Sequence, residues 1–243
     1  MLGYLLDRAR RLRRPGHSEA THIPGGGIVR ELVFGANDGL VAAFAVVSGV
    51  YAASAPAHVV FLAGFAELIG GTMAMGLGGY LAVKSEREFY LAERQREERE
   101  VDLYPETERR EIREIFRAKG FEGKVLDAIV AQVTSERERW IDTMMHDELG
   151  LSLDAHRSPL GSGVATGLAY AFGAAMPSVP YAVLAPAAAF RCSAALTLAT
   201  LFSVGAAKTV VTGRSWWRSG AEAILIGALA AAATFAAGWV LSA

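Results

Sequence analysis

The chain has 243 residues, of which 52% are hydrophobic and 20% charged, and its formal net charge is −1. Most of the charges lie between Lys84 and Arg157, and the long stretches on either side carry few. This pattern indicates a membrane protein with one polar insert and excludes a globular domain of uniform composition. The near-neutral charge offers no field for nucleic acid. The single cysteine, Cys192, excludes an intramolecular disulfide framework and a CxxC metal site.

Five stretches approach the length of about 20 apolar residues that a membrane-spanning helix needs. Two precede the insert and three follow it, at residues 31–53, 59–83, 160–176, 184–206 and 221–241. We therefore predict an all-α membrane protein with five transmembrane helices and a cytoplasmic three-helix insert between spans 2 and 3. The predicted organisation is a basic N-terminal segment (1–30), spans 1 and 2 (31–83), the helical metal-binding insert (84–158) and spans 3 to 5 (159–243).

Basic residues predict the orientation of these spans. The arginines of the N-terminal segment, the insert and the loop 208–218 all fall on one side of a five-span arrangement. By the positive-inside rule, the N-terminus and the insert should be cytoplasmic and the C-terminus should lie outside. Arg191 is the exception, and from within span 4 its long stem can reach the outer surface. The sequence shows no organelle-targeting segment, so we expect the inner membrane of a bacterium.

The insert is predicted to form three helices. The first, at 85–103, should continue span 2 without a break, since no glycine or proline intervenes. The second, at 106–119, begins after Pro105 and ends before Gly120. The third, at 123–149, has apolar residues at helical spacing and ends at Gly150. A unit this small cannot bury a large core by itself, so it should depend on the membrane domain or on a second copy.

Carboxylates and thioethers recur on these insert helices at spacings that share a helix face. Oxygen ligands suit magnesium, calcium or manganese, and added thioethers shift the preference towards ferrous iron. The residues at these spacings are Glu93, Glu97, Glu100, Glu108, Glu111, Met144, Met145 and Glu148. Arginines are interleaved with the glutamates, so solvated Glu/Arg faces are the alternative interpretation. For the two methionines the alternative is simple packing.

Two further carboxylates, Asp38 and Glu67, lie inside the first two predicted spans. A charged side chain at the centre of a bilayer costs about 2.5–3.5 kcal/mol on insertion scales, and such residues commonly mark ion pathways. Met75 should lie at a depth similar to that of Asp38, with Glu67 two helical turns further out. An ion could then step from Asp38 and Met75 to Glu67. A structural hydrogen-bonded carboxylate is the alternative.

Three motifs together resemble the vacuolar iron transporter family. They are RELVFGANDGLVAAFAVVSGV (30–50), AELIGGTMAMGLGGYLAVKSERE (66–88) and the turn that contains Pro177, Pro180 and Tyr181. The resemblance runs from about Ile28 to the C-terminus. It implies a five-span homodimer that exports cytosolic Fe²⁺, with Mn²⁺ second, in exchange for protons, and that has no permanently bound cofactor. It also implies a pathway through Asp38, Glu67 and Met75. The insert residues that it implies for metal capture are Glu97, Glu100, Glu108, Glu111, Met144, Met145 and Glu148.

The chain departs from this family at one position. Many members carry a glutamate before the tyrosine of span 2, where this chain has Gly79 before Tyr80. A ligand or proton carrier is therefore missing there, which puts metal selectivity and coupling stoichiometry in question.

Two other function classes account for less of the sequence. A membrane-anchored metal-binding or sensing protein would need the insert ligands but not Asp38 or Glu67. An iron oxidase would need a di-metal site, for which the di-iron carboxylate proteins use an ExxH motif from each of two helices. The chain has a single ExxH sequence, Glu19 to His22 in the basic N-terminal segment, which does not supply that pair. We therefore expect a transporter and no enzyme.

Overall fold

The computed structural model describes residues 26–152, 157–209 and 215–242. The described residues form helices joined by short turns and contain no β-strand, which confirms the all-α class. The basic cluster of the N-terminal segment and the middle of the loop 208–218 lie outside the described residues.

The helices follow one another as α1 to α9 with a π-helical turn inserted after α5. Several of them (α3, α6, α7 and α8) begin at a proline, whose fixed φ suits the first helical position and whose missing N–H is not needed there. Their bounds are α1 Gly26–Ala52, α2 Ala57–Leu103, α3 Pro105–Ala118, α4 Gly123–Val133, α5 Arg137–Thr143, the π-turn Met144–Glu148, α6 Pro159–Ser178, α7 Pro180–Val183, α8 Pro186–Ala207 and α9 Trp216–Ser242.

Four helices in the described part of the chain are long and apolar enough to cross a membrane: α1, α2, α8 and α9. The prediction named five. The remaining stretch, 160–176, forms most of α6, which has 20 residues but many glycines and hydroxyl side chains. The structure explains this composition, because α6 packs along both α1 and α2 and buries much of its surface against them. Small residues form the side of α6 that faces these helices, whereas its large apolar residues lie exposed on the other side: Leu160, Val164, Leu168 and Phe172.

Backbones touch where α6 meets its two neighbours. A Cβ added to Gly39 of α1 would lie 2.2 Å from the carbonyl oxygen of Tyr170. A Cβ on Gly173 of α6 would lie 2.2 Å from the carbonyl oxygen of Ala36, and one on Gly163 would lie 2.6 Å from that of Gly76. Small residues allow this approach between membrane helices, where van der Waals contact replaces the hydrophobic effect as the driving force. The three helices are thereby held in one register.

Helix α2 is a single rod of 47 residues, which confirms that the first insert helix continues span 2. At 1.5 Å per residue it is about 70 Å long, so it reaches well beyond a bilayer. It therefore carries the intramembrane Glu67 and the insert residue Glu97 on one continuous element.

The prediction of one helix over 123–149 was wrong. The chain breaks after Val133, where the Thr134 hydroxyl donates to the Val130 carbonyl at 2.9 Å and Ser135 donates to Gln132 at 2.8 Å. Such side-chain bonds compete with the helix, and Glu136 is extended at φ −134°. The helix resumes as α5 and widens into the π-turn, which places Met144 and Met145 in the insert core.

We expect Gly173→Ala to destabilise the protein and Gly78→Ala to be tolerated. The first adds a methyl group against the Ala36 carbonyl, whereas a Cβ at Gly78 meets nothing within 4 Å. Overpacking of this kind costs about 1–3 kcal/mol, while an unstrained Gly→Ala change is neutral or slightly stabilising. Thermal unfolding of both variants in the same detergent measures the difference. Equal midpoints would contradict the close packing of α1 and α6.

Candidate functional site

Three glutamates converge where α2 turns into α3. Glu97 and Glu100 lie near the end of α2 and Glu108 lies in the first turns of α3, and one carboxylate oxygen from each lies within 4.8 Å of the others. The turn at Tyr104 makes this possible, because its N–H caps α2 by donating to the Glu100 carbonyl at 2.7 Å. Pro105 then starts α3 immediately. These three glutamates, the acidic cluster, are among the ligands named from the sequence, and metal binding by them stays a prediction.

Burial sets the electrostatics of the acidic cluster. Glu97 and Glu108 are each only 4% exposed. Desolvation, followed by repulsion from Glu148, raises the pKa of Glu97 to about 7. Desolvation and the neighbouring Glu111 raise the pKa of Glu108 to about 7 as well. Glu148, at the edge, has its pKa raised by partial burial and then by Glu111 and Glu100.

The buried oxygens of this cluster need a cation or a proton. Oε2 of Glu97 and Oε2 of Glu108 are shielded from solvent and have no hydrogen-bond partner among the described residues. A buried carboxylate oxygen without a partner is costly, and the group either takes up a proton or binds a positive charge. Several carboxylates around one point therefore form a site suited to a divalent cation.

The interleaved arginines mostly turn away from the cluster. Arg94 bridges Glu138 and Asp142 at 2.5 Å each, and Arg113 pairs with Asp127 at 2.6 Å. The Arg109 guanidinium lies over the Trp140 ring, 5.7 Å from its centroid. Arg96 does reach the cluster, with its Nε 3.1 Å from Glu100. For Glu97 and Glu108 this arrangement favours a cation site over a solvated face.

The methionines lie beside the acidic cluster in the apolar core of the insert. Met144 and Met145 are 0% and 1% exposed and pack with residues of α2, α3, α4 and α5. This is the packing role that the alternative interpretation gave them. Their part as thioether ligands stays a prediction.

Inside the membrane region, Tyr170 of α6 joins the predicted pathway residues. Its hydroxyl donates a hydrogen bond to Glu67. Asp38 and Glu67 lie close enough to interact electrostatically with each other and with the Tyr170 hydroxyl. Met75 packs against the cluster that contains Tyr170. The structure thus brings Asp38, Glu67 and Met75 together around one tyrosine.

Sequence reasoning missed Tyr170. A lone tyrosine in a small-residue helix gives no sign of its partner, because the pairing depends on how α6 lies against α2. The one available signal is Gly71, since a Cβ there would lie 2.3 Å from the Tyr170 hydroxyl. That glycine makes room for the ring next to Glu67, one turn away on α2.

A second group that sequence reasoning missed is a hydrogen-bonded network around Glu31 and Arg157, at the insert end of the membrane region. Glu31 of α1 is 8% exposed and accepts hydrogen bonds from Ser162 at 2.5 Å and from Arg157 at 3.1 Å. Arg157 also reaches Glu86 of α2 at 3.1 Å. This network ties α1, α2 and the start of α6 together, and Arg157 neutralises a carboxylate that would otherwise be buried alone.

This network borders a cavity of about 430 Å³ that Met75, Gly79 and Thr166 also line. Gly79, where the sequence departs from the resembled family, therefore faces the space between the ion pairs and Met75. A Cβ at Gly79 would lie 3.2 Å from the Thr166 hydroxyl. The glycine leaves this cavity without a carboxylate of its own on α2.

The sequence is similar to a known protein family over most of its length. A family model described as the VIT family matches residues 29–239. Vacuolar iron transporter 1 of Arabidopsis thaliana is 39% identical over 220 residues, 90% of this chain and 88% of that protein. Vacuolar iron transporter 2 of Oryza sativa subsp. japonica is 38% identical over 231 residues, 94% and 93% respectively. Protein CCC1 of Saccharomyces cerevisiae is 31% identical over 217 residues, 86% and 67% respectively.

We expect the metal-free protein to lose stability as pH rises from about 5 to 8. The pKa values of Glu97 and Glu108 are about 7 in the fold, above the ordinary 4.5, so the folded state holds more protons in this range. Its free energy of unfolding must then fall as the pH rises. Thermal unfolding with a chelator measures the effect, and Mn²⁺ at pH 8 should restore the lost stability.

The control for this prediction is the pair Glu97→Gln and Glu108→Gln, which keeps the shapes and removes the titration. It should flatten the pH dependence and abolish the effect of Mn²⁺. An unchanged pH slope in the double variant would show that other groups cause it.

Proposed function

The chain belongs to the VIT family, and we propose that it is a proton-coupled transporter that exports Fe²⁺ from the cytosol, with Mn²⁺ as a second cargo. The names of its relatives support metal transport. The observation that carries the proposal is the group formed by Asp38, Glu67 and Tyr170 between membrane helices. Two carboxylates inside a membrane are costly, and such residues commonly mark the path of an ion across it.

Capture and translocation use different parts of one helix. Glu67 and Glu97 are 30 residues apart on α2 by their numbering, so they are separated by about 45 Å along the rod. An ion held by the acidic cluster is therefore far from Glu67. We assign the cluster to loading from the cytosol and the Asp38–Glu67 group to passage, with the 430 Å³ cavity beside Met75 between them.

Exchange for protons follows from the chemistry of the carboxylates. A carboxylate that holds a proton is a poor metal ligand, so metal and proton compete for Asp38 and Glu67. The Tyr170 hydroxyl donates a hydrogen bond to Glu67 and so fixes the position of its side chain. Protons arriving from the far side would displace the cargo there and be carried back.

The remaining expectations about topology and assembly belong to this proposal. We place the insert and the N-terminus in the cytosol of a bacterium, with the chain in its inner membrane. Lys84, Arg157, Lys208 and Arg218 all belong to the insert end of the helices and support this orientation. We also propose a homodimer, because the outward face of α2 exposes a row of large apolar side chains to lipid or to a second copy: Leu62, Phe65, Ile69, Met73 and Leu77.

A metal-binding or sensing protein without transport is the second candidate. It accounts for the acidic cluster and its buried oxygens. It gives no reason for Asp38 and Glu67 to lie near each other between membrane helices, so the transporter is the better explanation.

We expect Asp38→Ala and Glu67→Ala each to abolish metal uptake into proteoliposomes while leaving the protein folded. Each change removes a carboxylate on which passage depends. Glu88→Gln is the control, because Glu88 is a surface carboxylate paired with Lys84 at 3.7 Å and should transport normally. Wild-type flux in either alanine variant would remove that residue from the pathway.

We expect transport to require a proton gradient directed against the metal. Acidifying the loading side should slow uptake, because protons then compete for the carboxylates that receive the metal. Acidifying the far side should accelerate it. Flux of Fe²⁺ and Mn²⁺ in oriented proteoliposomes, with a pH-sensitive dye to follow protons, tests both signs. Flux that ignores the gradient, with no proton movement, would indicate a channel or a uniporter.

A further inference from the structure

A second groove opens between α1, α8 and α9, and it shares Arg30 and Phe34 with the cavity beside Met75. Its volume is about 450 Å³, and its walls are largely apolar, with Val33 and Phe34 from α1 and Ile226 from α9 among them. The cationic side chains that line it, Arg30 and Lys208, lie near the start of α1 and just after α8. Because α1 and α8 run in opposite directions, both cations are at the insert end of the membrane region.

The two cations retain binding capacity. Arg30 is exposed and forms no ion pair with any residue that the structure describes. The Lys208 ammonium is 3.7 Å from Glu222, which is longer than a hydrogen bond, so its donors are not committed to that carboxylate. Two positive groups therefore border one end of an apolar groove.

Aromatic residues place this end of the groove at the level of lipid headgroups. Trp216 and Trp217, at the start of α9, are 61% and 54% exposed. The Arg218 guanidinium lies over the Trp217 ring, 5.5 Å from its centroid. Tryptophans with this exposure are typical of the boundary between membrane and water.

We propose that this groove binds one anionic phospholipid. The lipid phosphate would lie between Arg30 and Lys208, and an acyl chain would cover the wall formed by Val33, Phe34 and Ile226. Basic pockets between membrane helices recognise acidic headgroups in this way. Free phosphate satisfies the cations but leaves the apolar walls uncovered, so the lipid is the ligand that matches both parts. This inference does not depend on the transport proposal.

Native mass spectrometry of the full chain in a maltoside detergent tests the headgroup. Palmitoyl-oleoyl-phosphatidylglycerol should bind more tightly than the zwitterionic phosphatidylcholine with the same acyl chains. Arg30→Gln with Lys208→Gln should weaken phosphatidylglycerol binding about fivefold per cation and leave phosphatidylcholine unchanged. The matched control is Lys84→Gln, because Lys84 is also at the insert end and also lies 3.7 Å from a glutamate. It should bind both lipids as wild type does.

A second pair of variants tests the apolar wall. Ile226→Trp adds bulk to the groove at a half-exposed position and should weaken both lipids. Leu225→Trp changes the neighbouring residue, which does not line the groove, and should have no effect. Thermal unfolding midpoints identify any variant that is misfolded. If the double variant is misfolded, the single variant Arg30→Gln is used in its place.

Three results would overturn the proposal. Wild-type phosphatidylglycerol affinity in Arg30→Gln with Lys208→Gln would mean that the cations do not select the headgroup. An equal loss of lipid affinity in Ile226→Trp and Leu225→Trp would mean that the lipid does not occupy this groove. Displacement of phosphatidylglycerol by inorganic phosphate at similar concentrations would mean a phosphate site and no lipid site.

Discussion

The contact of the α6 backbone with α1 and α2 is the constraint on which the membrane region depends. In a bilayer, water does not drive helices together, so association depends on close contact and on polar bonds between helices. Here glycines on all three helices remove the side chains that would hold the backbones apart. The same register that brings Gly173 onto Ala36 brings Tyr170 onto Glu67, so packing and polar contact have a single cause.

Two groups of carboxylates on α2 are kept apart by length and differ in environment. The acidic cluster lies in the insert, where an apolar core under it withholds water and raises the pKa of Glu97 and Glu108 to about 7. Glu67 lies between membrane helices and accepts a hydrogen bond from the Tyr170 hydroxyl of α6. Both groups place carboxylate oxygens close together, and they are connected by a helix without a break.

The ion pairs around Arg157 explain how the insert is attached to the membrane region. Glu31 is buried at the start of α1 and would be costly alone, yet it is paired with Arg157 and bonded to Ser162. Removing one partner of such a buried pair usually costs more than the pair contributes to stability. Arg157 also donates a hydrogen bond to Glu86 on α2. The start of α6 is therefore tied to both neighbouring helices, beside the cavity that Met75 lines.

The sequence by itself determined the helical class and the unbroken α2, and it named the glutamates of the acidic cluster among a larger set of candidate ligands. These follow from local properties: hydropathy over a span, helical spacing, and the turn at Pro105. It did not reveal the break at Thr134, where a hydroxyl competes with the helix, or the packing of α6 against both α1 and α2. Tyr170 and Arg157 were also missed. Only the tertiary structure decided these, because each depends on which helices lie side by side, and residues 103 positions apart, such as Glu67 and Tyr170, meet only after packing.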